Sequence, residues 1–269
     1  MNKTDSMGNT SFDIHKEDSP IIALALHDGH YISPEVLSYM NLAEHQRFRE
    51  EDPYTAFMAD LPVNKVIVHT SRFLVDLNRL KDKAIYKNPE DAWGLQVWKN
   101  GFPENLEKGL MEYYEKSYKA IDQLIEETIQ KFGYFLILDI HSYNHRRESP
   151  DKTAPEIDNP EINIGTAFNN PKWQPLCKNF MEYLSNFSIG GKYPDVRENI
   201  VFKGGGFSQW FNSKYSEKGS IISIEFKKTF MDEWTGRANI EHILEIKEAL
   251  MGSIPLLKAQ LNKLTERKS

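Results

Sequence analysis

Apolar runs of strand length, long segments of helical period between them, and the alternation of the two predict an α/β fold. The expected architecture is a single domain with a central mixed, largely parallel sheet flanked by helices. Runs at 21–26, 65–69, 134–140 and 220–226 lack the polar alternation of a half-exposed strand, so they are expected to be central strands covered on both faces. Segment 106–132 carries Leu110, Tyr113, Tyr114, Tyr118, Ile121, Leu124, Ile125 and Ile129 on one stripe, the spacing of a core-facing helix. Two more helices are expected at 172–187 and 240–264, the second broken or kinked near Gly252 and Pro255, because proline cannot continue the backbone ladder. Residues 1–19 are polar and aperiodic and are expected to form a flexible N-terminal arm, leaving 20–269 as the α/β domain. Prolines at 150, 155, 160 and 171 mark 150–171 as an extended loop suited to a site wall or lid.

At 269 residues and 40% hydrophobic, the chain can bury one substantial core. A formal charge of −6 gives no whole-chain attraction to nucleic acid or anionic lipid, so a small ligand is the expected partner. The single cysteine, Cys177, cannot form an intramolecular disulfide and is expected to be a packing residue. No stretch reaches the ~18 apolar residues of a membrane span, and the polar N-terminus lacks the regions of a signal peptide. These features predict a cytoplasmic setting.

The segment FLILDIHSYNHRR, 135–147, raises the chemical question. In open α/β sheets ligands bind beyond the carboxyl ends of the strands, so polar residues directly after an apolar run stand at a candidate site. His141 does so, as do His27 and His30 after the run 21–26, and Glu225 lies late in the run 220–226. Imidazoles converging from separate strand ends suit Zn²⁺, which in a catalytic site takes three protein ligands and water. His27 and His141 are the expected ligands of one such ion. The expected third is His30, if the chain turns tightly at Gly29, with Asp52 of REEDPYT as the alternative. A lone histidine is more often a hydrogen-bonded structural residue, and His15, His45, His69 and His242 are assigned that role. Asp139 stands where it could brace a ligating imidazole; Asp232 and Glu233 could do the same or form an exposed turn.

A second constellation is SRFLVDLNR, 71–79. Arg72, Asn78 and Arg79 follow closely on the strand ending near His69. A guanidinium fork with an adjacent amide suits a substrate carboxylate, although Asp76 and Arg79 could equally form a structural ion pair. Beyond His141, Tyr143, Arg146 and Arg147 are candidate lining residues, with Trp93 and Trp98. Only one of two successive arginines usually faces a site, and Arg146 is the expected one. The glycines at 204–206 lack the pattern of a phosphate loop and are expected to form a flexible turn.

Taken in order, HDG (27–29), SRFLVDLNR (71–79) and LDIHS (138–142) resemble the N-formylglutamate amidohydrolase family over roughly 21–236. That family is similar to the zinc carboxypeptidases and the aspartoacylase group, whose α/β fold holds one zinc and hydrolyses an amide beside a carboxylate. The resemblance implies His27 and His141 as metal ligands, Asn78 and Arg79 as the pair holding the substrate carboxylate, and Glu225 as general base. Arg146 is then the expected stabiliser of the oxyanion. REEDPYT, WGLQVW (93–98), HSYNHRR and EFKKTFMDEWTG (225–236) depart from the family pattern and mark a divergent subgroup. The expected substrate is a small acidic acyl-amino acid. A metallopeptidase acting on a peptide C-terminus and a non-catalytic carboxylate or peptide binder are the alternatives.

Overall fold

A computed structural model describes residues 12–266. Seven strands, β1 (Phe12–His15), β2 (Ile21–Ala25), β3 (Asn64–Val68), β4 (Phe135–Tyr143), β5 (Ile162–Gly165), β6 (Val196–Glu198) and β7 (Gly219–Lys227), form one sheet in the order β1-β3-β2-β4-β7-β5-β6. The central strands β3, β2, β4 and β7 run parallel. Antiparallel β1 extends one side, and antiparallel β5 with its parallel neighbour β6 extends the other. The sheet is mixed with a parallel centre, as its uninterrupted apolar runs require.

Helices α1 (Pro34–Leu37), α2 (Glu44–Glu50), α3 (Thr55–Met58), α4 (Glu107–Phe132), α5 (Gln174–Ser185), α6 (Gly206–Tyr215) and α7 (Ile240–Glu266) complete the fold. The strand period of two sorts side chains between two core layers. Ile21, Ala23, Leu136, Leu138, Ile140, Ile222 and Ile224 pack with residues of α5 and α7. Ile22, Leu24, Phe135, Ile137 and Ile221 pack on the other face with α4 and α6. By the same alternation Asp139, His141, Ser223 and Glu225 belong to the α4/α6 face, near the carboxyl ends of β4 and β7.

Several expectations change in three dimensions. Residues 1–11 of the predicted arm lie outside the described residues, but 12–15 are strand β1, whose Phe12 and Ile14 pack against the α4 layer. Four residues are too few to show a period. The 150–171 segment contains β5, whose Ile162 and Ile164 are buried. No break occurs at Pro255: α7 is continuous, with the proline on its exposed side and Ile246, Ala249, Leu250, Ile254, Leu257 and Leu261 buried along the other. That packing outweighs the ~3 kcal/mol a proline costs a helix interior. No helix of the described residues is long and apolar enough to cross a membrane.

The glycines at 204–206 open α6 and do not form the expected flexible turn. Gly206 donates its N–H to the Asn78 carbonyl at 2.6 Å, and a Cβ there would stand 2.3 Å from the Leu80 nitrogen and 2.4 Å from the Arg79 carbonyl carbon. The helix can start against 78–80 only without a side chain at 206. Because the opposing atoms are backbone, Gly206→Ala is expected to lower stability by about 1–3 kcal/mol or more, as overpacking does, in urea unfolding.

Candidate metal centre

Three loops and one strand meet on the α4/α6 face. His27 follows β2 directly; the Asp52 N–H donates to the His27 carbonyl at 2.9 Å, and Asp28 accepts from the Ala56 N–H at 2.9 Å, so loop 51–56 is fastened to the end of β2. Gly29 lets the segment after β2 reach the chain after β3, since a Cβ there would lie 2.3 Å from the His69 carbonyl carbon. Within the loop, Thr55 N–H returns to the Asp52 carbonyl across Pro53 and Tyr54, the latter in the left-handed region at φ 72°. Such a conformation is costly for a non-glycine residue and persists where its surroundings hold it. Tyr54 is held by its ring contacts to Phe48 and Phe230.

The result is a buried cluster of His27, Asp52 and His141, with one donor atom from each lying within 4.8 Å of the others. Asp52 Oδ2 is 3.3 Å from His27 Nδ1 and 3.1 Å from His141 Nδ1. On the far side of each ring stands another carboxylate: Asp76 Oδ1 at 2.7 Å from His27 Nε2, and Asp139 Oδ1 at 2.9 Å from His141 Nε2. When Nδ1 of each ring is unprotonated, as a metal ligand must be, two Nδ1 lone pairs face the Asp52 oxygen; the His27 Nε2 proton then bonds Asp76, while His141 Nε2 has Asp139 as a charge contact and the Asn78 amide nitrogen at 3.4 Å. Three buried lone pairs aimed at one point repel unless a cation stands among them. This donor set of two imidazole nitrogens and one carboxylate oxygen fits a divalent metal.

The surrounding charges fit the same conclusion. The two imidazoles hold the Asp52 carboxyl far below the usual carboxylate range despite its burial. Arg72 and His27 do the same for Asp76, and Asp139 and Asp52 raise the His141 pKa against its burial. Every acid around the two rings thus favours positive charge between them.

His30, the first alternative for the third ligand, does not join the cluster. Its Nδ1 is hydrogen-bonded to Glu51 and its Nε2 faces Glu44 at 3.6 Å, because the chain carries it past the site toward α2. Asp52 stands in the cluster instead. Asp76 also has a role beyond the structural pair considered above. It binds His27, Arg72 at 2.7 Å, the Tyr86 hydroxyl and the Asn78 N–H, while Arg79 is 3.9 Å away.

A cavity of about 190 Å³ lies over the cluster. Glu225 lines it, opposite His141 in the parallel β4–β7 register. Burial first, then the Asp52 and Asp139 carboxylates, push the Glu225 carboxyl up to about 8 against the pull of His141. Arg72, Asn78, Arg79, Tyr143 and Arg147 also line the space, with Trp93 and Phe202. Arg72 and Arg147 flank the Trp93 ring at 5.0 and 5.3 Å from its centroid. Arg79 donates to the Asp91 carbonyl at 2.8 Å.

Arg146 does not line the cavity. Its guanidinium lies 3.2 Å from Asp232 and its backbone N–H is held by Glu233, so the turn after β4 faces Arg147 inward instead. Trp98 is also absent from the wall, buried in a separate cluster with its Nε1 donating to the Tyr86 carbonyl at 2.7 Å. Glu50, Lys228 and Phe202 line the cavity without a marked sequence signal. Glu50 pairs with Arg147 at 3.0 Å, and Lys228 follows β7 in an ordinary Lys-Lys pair.

The N-formylglutamate amidohydrolase family model matches residues 19–231. The chain belongs to the N-formylglutamate amidohydrolase family. An N-formylglutamate deformylase of Pseudomonas putida is 24% identical over 188 residues, covering 66% of this chain and 67% of that protein. Among solved structures, an N-formylglutamate amidohydrolase of Ralstonia eutropha JMP134 superposes with a TM-score of 0.71 at 15% identity, covering 96% of this chain and 99% of the other. A gene product of Agrobacterium tumefaciens superposes with a TM-score of 0.59 at 16% identity over 91% of this chain and 96% of its own. At these identities the superpositions establish the shared fold.

If Asp52 is the third donor, His141→Ala and Asp52→Ala each lose stoichiometric metal by plasma mass spectrometry, and His30→Ala keeps it. Asp76→Asn, which weakens the brace on His27, is expected to lower metal affinity about 10–100-fold in competition with a chelator.

Proposed function

We propose that this amidohydrolase-family protein is a zinc-dependent hydrolase that cleaves the amide of a small N-formyl or N-acyl amino acid beside a substrate carboxylate. The single observation that carries the reading is the buried carboxylate of Glu225 facing the same cavity as the His27–Asp52–His141 donor set. The family to which the chain belongs, and the Pseudomonas putida deformylase similar to it, support N-formylglutamate as the type of substrate.

Two imidazole nitrogens and one carboxylate oxygen are a zinc set with room for further ligands. Bound by these residues, the ion supplies charge that makes water more acidic and withdraws electrons from an amide carbonyl. The residues of the chain do the rest. Glu225 accepts the proton of the attacking water as its oxygen bonds to the carbonyl carbon, then delivers that proton to the amine nitrogen as the C–N bond breaks. A buried carboxyl with a raised pKa suits the return of the proton to the amine, and the charge of a bound cation, added to that of the His141 imidazole, would draw the group down so that it can accept the proton first. Asn78 and Arg79 hold the substrate carboxylate and fix the amide over Glu225, saving the entropy of alignment. Arg147 or Arg72, in place of Arg146, stabilises the charge on the carbonyl oxygen. Ser142 Oγ and Asn144 Oδ1 line the cavity without a hydrogen-bond partner among the described residues, and offer acceptors to the substrate N–H.

The volume of about 190 Å³ favours a substrate the size of one amino acid over a peptide chain, since pockets for larger ligands run to about 300–1,000 Å³. Formate release from N-formyl-L-glutamate is expected to be lost with a chelator and restored by zinc. Glu225→Gln is expected to cut kcat about 10²–10⁴-fold at unchanged metal content. Zinc-loaded protein that binds such compounds and hydrolyses none of them would leave only the carboxylate-binding role.

A further inference from the structure

Four cations border the cavity, and they differ in how much of their charge is already spoken for. Arg72 is bonded to Asp76 at 2.7 Å, and Arg147 to Glu50 at 3.0 Å. Arg79 gives a donor to the Asp91 carbonyl and keeps the rest of its fork. Lys228 is the unusual one. It is 1% exposed, and its Nζ donates to two backbone carbonyls, of Arg49 at 2.6 Å and Glu51 at 2.7 Å. No ion pair to an acid is formed by it among the described residues, so its hydrogen bonds go to neutral dipoles while the nearest carboxylates stand farther off.

An ammonium has three donors, and these carbonyls use two. A buried charge without an ionic partner is costly, and proteins retain one where a ligand completes it. Burial lowers the Lys228 pKa, while the more distant Asp52, Glu50 and Glu233 carboxylates pull it back up. The Glu51 carbonyl that anchors Nζ belongs to the residue preceding the donor Asp52, and Lys228 lines the cavity. The fixed ammonium therefore shares the cavity with the candidate metal ligands, with one donor left for whatever enters.

We infer that Lys228 is the specificity residue for a second substrate carboxylate, the one on the side chain of a dicarboxylic N-acyl amino acid. This rests on the hydrolase reading above, in which Asn78 and Arg79 hold the first carboxylate. The two carboxylates of such a dianion then meet two cations of one cavity wall, neither hydrogen-bonded to a protein carboxylate. An uncharged side-chain amide would leave the ammonium without its counter-charge, so the site rejects it.

The test compares N-formyl-L-glutamate with N-formyl-L-glutamine in zinc-loaded wild type, Lys228→Met and Lys228→Arg. Wild type prefers the glutamate compound. Lys228→Met lowers kcat/KM for that compound about 30-fold or more, chiefly through KM, and by far less for the glutamine compound, so the preference collapses; Lys228→Arg restores part of it. Equal losses on the two substrates would mean that Lys228 only pins loop 49–51, and would overturn the inference, as would a wild type with no preference. If wild type hydrolyses neither compound, the hydrolase reading falls separately, and calorimetry with glutarate against butyrate decides for Lys228. Glutarate binding that is stronger than butyrate binding and depends on Lys228 sustains the inference. Binding that is undetectable or indifferent to the substitution ends it.

Discussion

The burial of the Asp52 carboxylate between two imidazole nitrogens is the constraint on which the rest of this structure depends. A desolvated carboxylate is expensive, and two lone pairs aimed at it make it more so unless positive charge stands between them. The surrounding protein is arranged to hold that conflict in place. Asp76 and Asp139 orient the rings from behind, the Asp52 N–H is tied to the His27 carbonyl, and Gly29 closes the gap to the chain after β3. Removing any one of these loosens the geometry of a site whose usefulness lies in its being set before a ligand arrives.

The second organising feature is the parallel register of β4 and β7. It aligns Asp139 with Ser223 and His141 with Glu225 across nine consecutive pairs, so the Glu225 carboxylate and the His141 ring of the candidate metal cluster share one face at fixed spacing. A slip of one residue would turn Glu225 into the opposite apolar layer. The buried isoleucines and leucines on both strands resist that slip, which links packing energy directly to the chemistry.

Loops supply the remaining groups and are tied down by polar anchors. Glu233 accepts the backbone N–H groups of His145 and Arg146 and thereby sets which arginine turns inward. Asn163 on β5 accepts from the Ile200 and Val201 N–H groups and donates to the Phe202 carbonyl, fixing the aromatic wall opposite Arg147. The start of α6 presses on 78–80 and orients Asn78 and Arg79. The cavity is thus walled by segments distant in the chain, each held by one or two hydrogen bonds to its neighbours.

The sequence by itself determined the α/β class, the four central strands, the long helix at 106–132, and the convergence of His27, His141 and Glu225, because apolar periodicity and strand-end polarity are local properties. It put His30 ahead of Asp52, and favoured Arg146 over Arg147, because the direction of a side chain in a loop is set by partners far along the chain: Glu51 and Glu44 for His30, Asp232 and Glu233 for Arg146. Short edge strands such as β1 and β6 carry too few residues for a period and exist only as partners of longer ones. Lys228 has no local signature at all. Its hydrogen bonds to carbonyls in place of acids, and its place in the cavity wall, arise only when the end of β7 folds against loop 49–51.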